Sequence, residues 1–129
     1  MSQKIVIKVI DHKNHRYPTV GDWEFIGEND LVIRVSELGD LKMNYLASIH
    51  ELVEALLCKF ASPEVTGKEV DEFDMKFEKD RKENDDSEPG DQPYAPYHNQ
   101  HKVATFIEML LADTLEVSWA DYEKRINSL

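Results

Sequence analysis

The stretch Ile49-His50-Glu51-Leu52-Val53-Glu54 holds three side chains able to bind or activate a metal ion. His50 and Glu54 are four residues apart, so on a helix they stand one above the other on the same face. An imidazole and a carboxylate at that spacing form half of a metal site. Glu51 is rotated by about a quarter turn, close enough to act as a base beside a bound ion. A third ligand must come from elsewhere, and His101 is the first candidate, with His98 one turn earlier as the alternative. Asp74 is a further ligand or an outer acceptor that fixes a histidine tautomer. Two histidines and one carboxylate with an open position make a catalytic type of zinc site. Glu51 would then take a proton from a water whose pKa the ion lowers to about 7.

These residues need a frame. Residues 4–10 alternate and are rich in β-branched side chains, which predicts a strand. Trp23-Glu24-Phe25-Ile26 and Leu31-Val32-Ile33-Arg34-Val35 flank Gly27-Glu28-Asn29-Asp30, the pattern of a β-hairpin. A helix capped by Asp40 or Asn44 is expected to run to about Phe60. Leu46, Ile49, Val53, Leu56, Leu57 and Phe60 would form its core stripe, with His50 and Glu54 at the edge. A second helix is expected from Thr66 or Gly67 to about Lys82, with Val70, Phe73 and Phe77 inward. Residues 84–96 carry three prolines and a glycine and predict irregular backbone, the acids around them a solvated linker. A third helix is expected from Tyr97 to Leu115, with Val103, Phe106, Ile107, Leu110, Leu111 and Leu115 inward. Ser118 opens a short last helix. The expected fold is α+β in a single domain. A small N-terminal antiparallel sheet of about three strands packs on three main helices plus a short C-terminal one.

Composition bounds the function. The 129 residues carry a net charge of −11, which disfavours binding to phosphate backbones and so to nucleic acid. Between Ser62 and Asp91 there are 12 acidic and 5 basic residues, so most of the imbalance sits in one segment. No apolar run approaches the roughly 18 residues that span a bilayer. The alternating start lacks a signal-peptide core, and the single cysteine, Cys58, fits a reducing, cytoplasmic setting. One thiol also excludes a multi-cysteine zinc site, leaving histidines and carboxylates as ligands. His12 and His15 read as solvated turn residues.

A strand, residues 31–35, followed by a helix carrying His50-Glu51-Leu52-Val53-Glu54 resembles the core of the zincin-like metalloproteases. The resemblance covers residues 23–60. It implies His50 as a ligand and Glu51 as general base. Glu54 stands where the H-E-x-x-H motif has its second histidine, and a carboxylate also ligates zinc. The element order and Pro96-Tyr97-His98-Asn99-Gln100-His101 are similar to small uncharacterised proteins of phages and mobile elements. Glu51, Glu54, Asp71 and Asp74 also resemble the paired carboxylates of all-α nucleotide pyrophosphohydrolases, which hold Mg²⁺. No Gly-rich phosphate loop accompanies them. The expectation is a metal-binding, zincin-like protein, with a zinc-dependent hydrolase as its active form. The competing class is a non-enzymatic phage accessory protein that binds a host protein through its acidic surface.

Overall fold

The computed structural model describes residues 1–129. The fold is α+β, as expected. Strands β1 (Ile5–Ile10), β2 (Gly21–Ile26) and β3 (Asp30–Ser36) precede helices α1 (Leu41–Lys59), α2 (Gly67–Lys79), α3 (His98–Thr114) and α4 (Trp119–Asn127). No helix is long and apolar enough to cross a membrane.

The sheet is mixed rather than wholly antiparallel. Its order is β1-β3-β2, with β2 antiparallel and β1 parallel to the central β3. Side chains explain the placement. Leu31, Ile33 and Val35 of β3 are all buried, as a central strand requires. β1 follows Lys4, carries Lys8 within its ladder and leaves Ile5, Ile7 and Val9 exposed, which suits an edge. The link 11–20, which holds Pro18, crosses the end of β3 and costs no ladder hydrogen bond. Gly27, with φ of 64°, makes the tight return from β2 to β3.

The helix caps follow the sequence. The Asp40 carboxylate accepts from the Met43 amide at 3.0 Å and starts α1, while Asn44 lies inside the helix and accepts from the Leu38 amide. Thr66 and Glu69 close a capping box on α2. Ser118 accepts from the Asp121 amide at the start of α4. Helix α1 packs on β2 and β3 with one flank and on α3 with the other.

The faces that α1 and α3 turn inward differ from the expected stripes. On α1 the buried residues include Leu46, Ala47, His50, Glu54, Ala55 and Cys58, while Leu56 and Phe60 face solvent. On α3 the buried residues are His101, Ala104, Glu108 and Ala112, and Phe106 and Leu110 are exposed. Small residues let the two helices approach, and the space between them is filled by polar side chains instead of leucines.

Candidate metal centre

Antiparallel packing of α1 on α3 sets His50 and Glu54 opposite His101. His50 Nε2 lies 3.2 Å from Glu54 Oε2 and 3.2 Å from His101 Nδ1. His101 Nδ1 lies 3.0 Å from Glu54 Oε2. Three ligand-type atoms thus form a nearly equilateral triangle. Tetrahedral zinc with bonds of about 2.0–2.1 Å holds its ligands roughly 3.3 Å apart. The triangle is close to that size and is almost wholly buried.

The outer atom of each ligand is also occupied. His50 Nδ1–H donates to Glu108 Oε1 at 2.8 Å. A carboxylate only accepts, so Nδ1 carries a proton, while Nε2 faces the centre, donating to Glu54 Oε2 when protonated and free to ligate a cation when not. His101 is held the opposite way round. Its Nε2–H donates to Asp91 Oδ1 at 3.1 Å, with Glu88 Oε2 at 3.3 Å, and its Nδ1 faces the centre. Glu54 Oε1 accepts from the Trp23 indole at 3.0 Å, leaving Oε2 for the centre. The Tyr122 hydroxyl of α4 donates to Glu108 Oε2, so the support continues outward by one more group. Partners of this kind fix ring orientation and tautomer in metal sites.

Three ligand-type atoms aimed at one point need positive charge between them, and the ionisation of the cluster reflects it. Burial alone would depress the His50 pKa, yet the hydrogen bonds to Glu108 and Glu54 hold it well above its usual value. His101 behaves likewise: burial opposes the charged ring, and Asp91, Glu54 and Glu88 outweigh it. Burial would raise the Glu54 pKa, but its hydrogen bonds to His101 and His50 pull it down to about 2. Protons or one divalent cation answer the same demand.

Glu51 sits beside the triad without a hydrogen-bond partner of its own, facing a cavity of about 380 Å³. Burial first, then the charge of Glu54, holds its carboxyl well above the usual carboxylate range. Gly21 of β2 makes room for it, since a β-carbon there would lie 2.7 Å from Glu51 Oε1. Gly90 does the same for His101, whose ring a β-carbon would overlap.

No protein-family model, curated protein or solved structure matches this chain. The site is therefore read from its own geometry.

The structure brings His50, Glu54 and His101 together, with Glu51 beside them, and leaves the other candidates outside the triangle. His98 Nδ1–H donates to the Gly90 carbonyl at 3.0 Å. Asp74 is buried and lines the same cavity, but Tyr97 and Tyr17 donate to its two oxygens. Burial pushes its pKa up to about 7. Asp71 is held by Arg16 at 3.0 Å and Tyr17, away from Glu51 and Glu54. His12 and His15 are half-buried, and both reach the Ser36 hydroxyl at 2.9 Å, so they are not free turn residues. Cys58 is fully buried.

Glu108, Asp91, Glu88, Trp23 and Tyr122 support the site and were not expected from the sequence. One signal was available. Glu108 is the only charged residue in the apolar run from Phe106 to Leu111, seven residues after His101 and so two turns along the same face. Glu88 and Asp91 looked like solvated linker acids. The loop instead folds back so that the 3₁₀ turn Pro89–Asp91 packs on α3.

Proposed function

We propose that this protein binds zinc through His50 Nε2, Glu54 Oε2 and His101 Nδ1 and uses it for hydrolysis, with Glu51 as general base. One observation carries the metal reading: three inner atoms lie 3.0–3.2 Å apart while every outer atom of the same side chains has its own partner. Zinc held by three protein groups supplies Lewis acidity at its open position. Glu51 supplies the proton acceptor. Its raised pKa brings it toward the range in which a carboxylate both takes and returns a proton near neutral pH. The cavity beside it has room for a small substrate group. A hard Mg²⁺ site on Glu51, Glu54, Asp71 and Asp74 is less well supported, because Asp71 and Asp74 are engaged elsewhere and two imidazoles face the centre.

The experiment pairs two variants of tag-free, zinc-loaded protein. His101→Ala is expected to lose the metal. Glu51→Gln is expected to keep it and to lose turnover on whichever peptide or ester the wild type cleaves in a substrate panel. Wild-type activity that survives Glu51→Gln unchanged contradicts the role of Glu51. If zinc is bound but no substrate turns over, the site is structural, and the protein belongs to the non-enzymatic, partner-binding class.

A further inference from the structure

We propose that the cavity beside Glu51 takes substrates that carry a positive charge, the chemistry of a peptide with lysine or arginine next to the bond to be cut, and that Asp86 on its rim reads that charge. The inference rests on the zinc site proposed above and names the substrate class for that same site. The cavity holds about 380 Å³, within the range of small-ligand pockets. Glu51 and the metal triangle line it, and so does the loop from Asp85 to Gly90. Its wall carries eight carboxylate side chains, one arginine and no lysine. That arginine, Arg81, has nothing left to offer an incoming anion. Its Nε and Nη2 donate to Glu78 at 2.8 and 2.7 Å, and its Nη1 donates to the Asp85 carbonyl. Its guanidinium also lies 5.0 Å from the centre of the Phe77 ring. A phosphate or carboxylate substrate would meet no free cationic side chain on the wall, so its desolvation would go largely uncompensated.

The remaining charge is negative. Zinc at the triangle would match Glu54 and Glu108, Arg81 matches Glu78, and Tyr17 and Tyr97 donate to Asp74. Glu51, Asp85, Asp86 and Glu88 are left. Asp85 accepts from the Ser87 amide and hydroxyl, and Glu88 lies against His101. Asp86, exposed at the rim, has no hydrogen-bond or ion-pair partner and is free to take one from a substrate. A cleft lined by one sign of charge focuses the field and raises the local concentration of the opposite ion by about 10- to 1000-fold. At 0.1 M salt the attraction reaches about 10 Å, so it acts on a charge one or two residues from a bond held at the zinc.

Three matched small hydroxamates test this without turnover, because the hydroxamate group chelates zinc and holds a variable group in the cavity. One carries an ammonium group, one a methyl and one a carboxylate. On zinc-loaded full chain at low ionic strength, the ammonium probe is expected to bind about tenfold or more tighter than the methyl probe, and the carboxylate probe weaker than either. The preference should shrink as salt approaches 1 M, where the screening length is about 3 Å. Asp86→Lys is expected to abolish it. Glu28→Lys makes the same change in total charge in the β2–β3 turn, at the end of β2 away from the cavity-lining Gly21, and should retain it. Equal affinity for the three probes overturns the proposal and leaves the zinc site standing. So does tighter binding of the carboxylate, a preference that survives Asp86→Lys, or one that Glu28→Lys also abolishes. If none of the probes binds, the open zinc position is contradicted, and the proposal falls with it.

Discussion

His50 works through both ring nitrogens, and its outer contact is as informative as its inner one. Glu108 holds Nδ1–H and leaves Nε2 facing the proposed metal position. Glu108→Gln keeps the size but loses the full carboxylate charge, and zinc affinity is expected to fall about 10- to 100-fold. Competition with a chromophoric chelator measures this, and an unchanged affinity would show that the support is incidental. Gly90→Ala should act on the partner ring. The added methyl displaces His101, so zinc should bind more weakly while the helices remain formed. Asp74 gives a pH signature separate from the metal. Its folded pKa, about 7, exceeds the ordinary 3.8, so the unfolded chain releases this proton first as pH rises. The stability contributed by the protonated group is present at low pH, is lost between about pH 4 and 7, and changes no further above that. Asp74→Asn should remove this fall, making the variant relatively more stable at pH 7 than at pH 4 by a few kcal/mol. Parallel denaturation midpoints for variant and wild type across that range would refute the shift.

Helices α1 and α3 meet through a polar seam, which is both the strength and the weakness of the architecture. His50, Glu54, His101 and Glu108 occupy positions that leucines would fill in an ordinary bundle. A cation that ties the two helices together must therefore stabilise the fold. Zinc at 100 times its dissociation constant is expected to add about 2.7 kcal/mol, and a chelator to remove it. Thermal unfolding with and without zinc reads this out, and an unchanged midpoint counts against a site between the helices. The seam also explains which parts of the fold were legible. The strands, the four helices and the caps at Asp40, Thr66 and Ser118 follow from local patterns, because a cap or a hairpin is written in a few adjacent residues. His50 and Glu54 were legible from their four-residue spacing, and His101 from its place at the start of the next long helix. The core stripes of α1 and α3 were misread because periodicity shows that a helix has an apolar side but not which side turns inward. The parallel placement of β1 depends on contacts between distant segments, which short patterns do not encode. Glu88 and Asp91 were missed for the same reason, since their approach to His101 depends on how a proline-rich loop folds back.

The whole molecule combines a strongly acidic composition with a buried polar centre. A net charge of −11 makes the compact state repel itself. Added salt at constant pH should therefore raise the thermal midpoint, with most of the gain by about 0.15 M, where the screening length falls to about 8 Å. A midpoint that falls with salt would mean that ion pairs such as Arg34–Glu24 matter more than the overall repulsion. The central claim is that folding of the entire chain builds a metal centre at His50, Glu54 and His101. Elemental analysis of the intact protein, purified without a histidine tag, tests it most directly. About one zinc or other transition-metal ion per chain is the expected result if the proposed site is real, absent from both His50→Ala and His101→Ala. Folded wild-type protein that is metal-free and takes up no zinc on titration would contradict it.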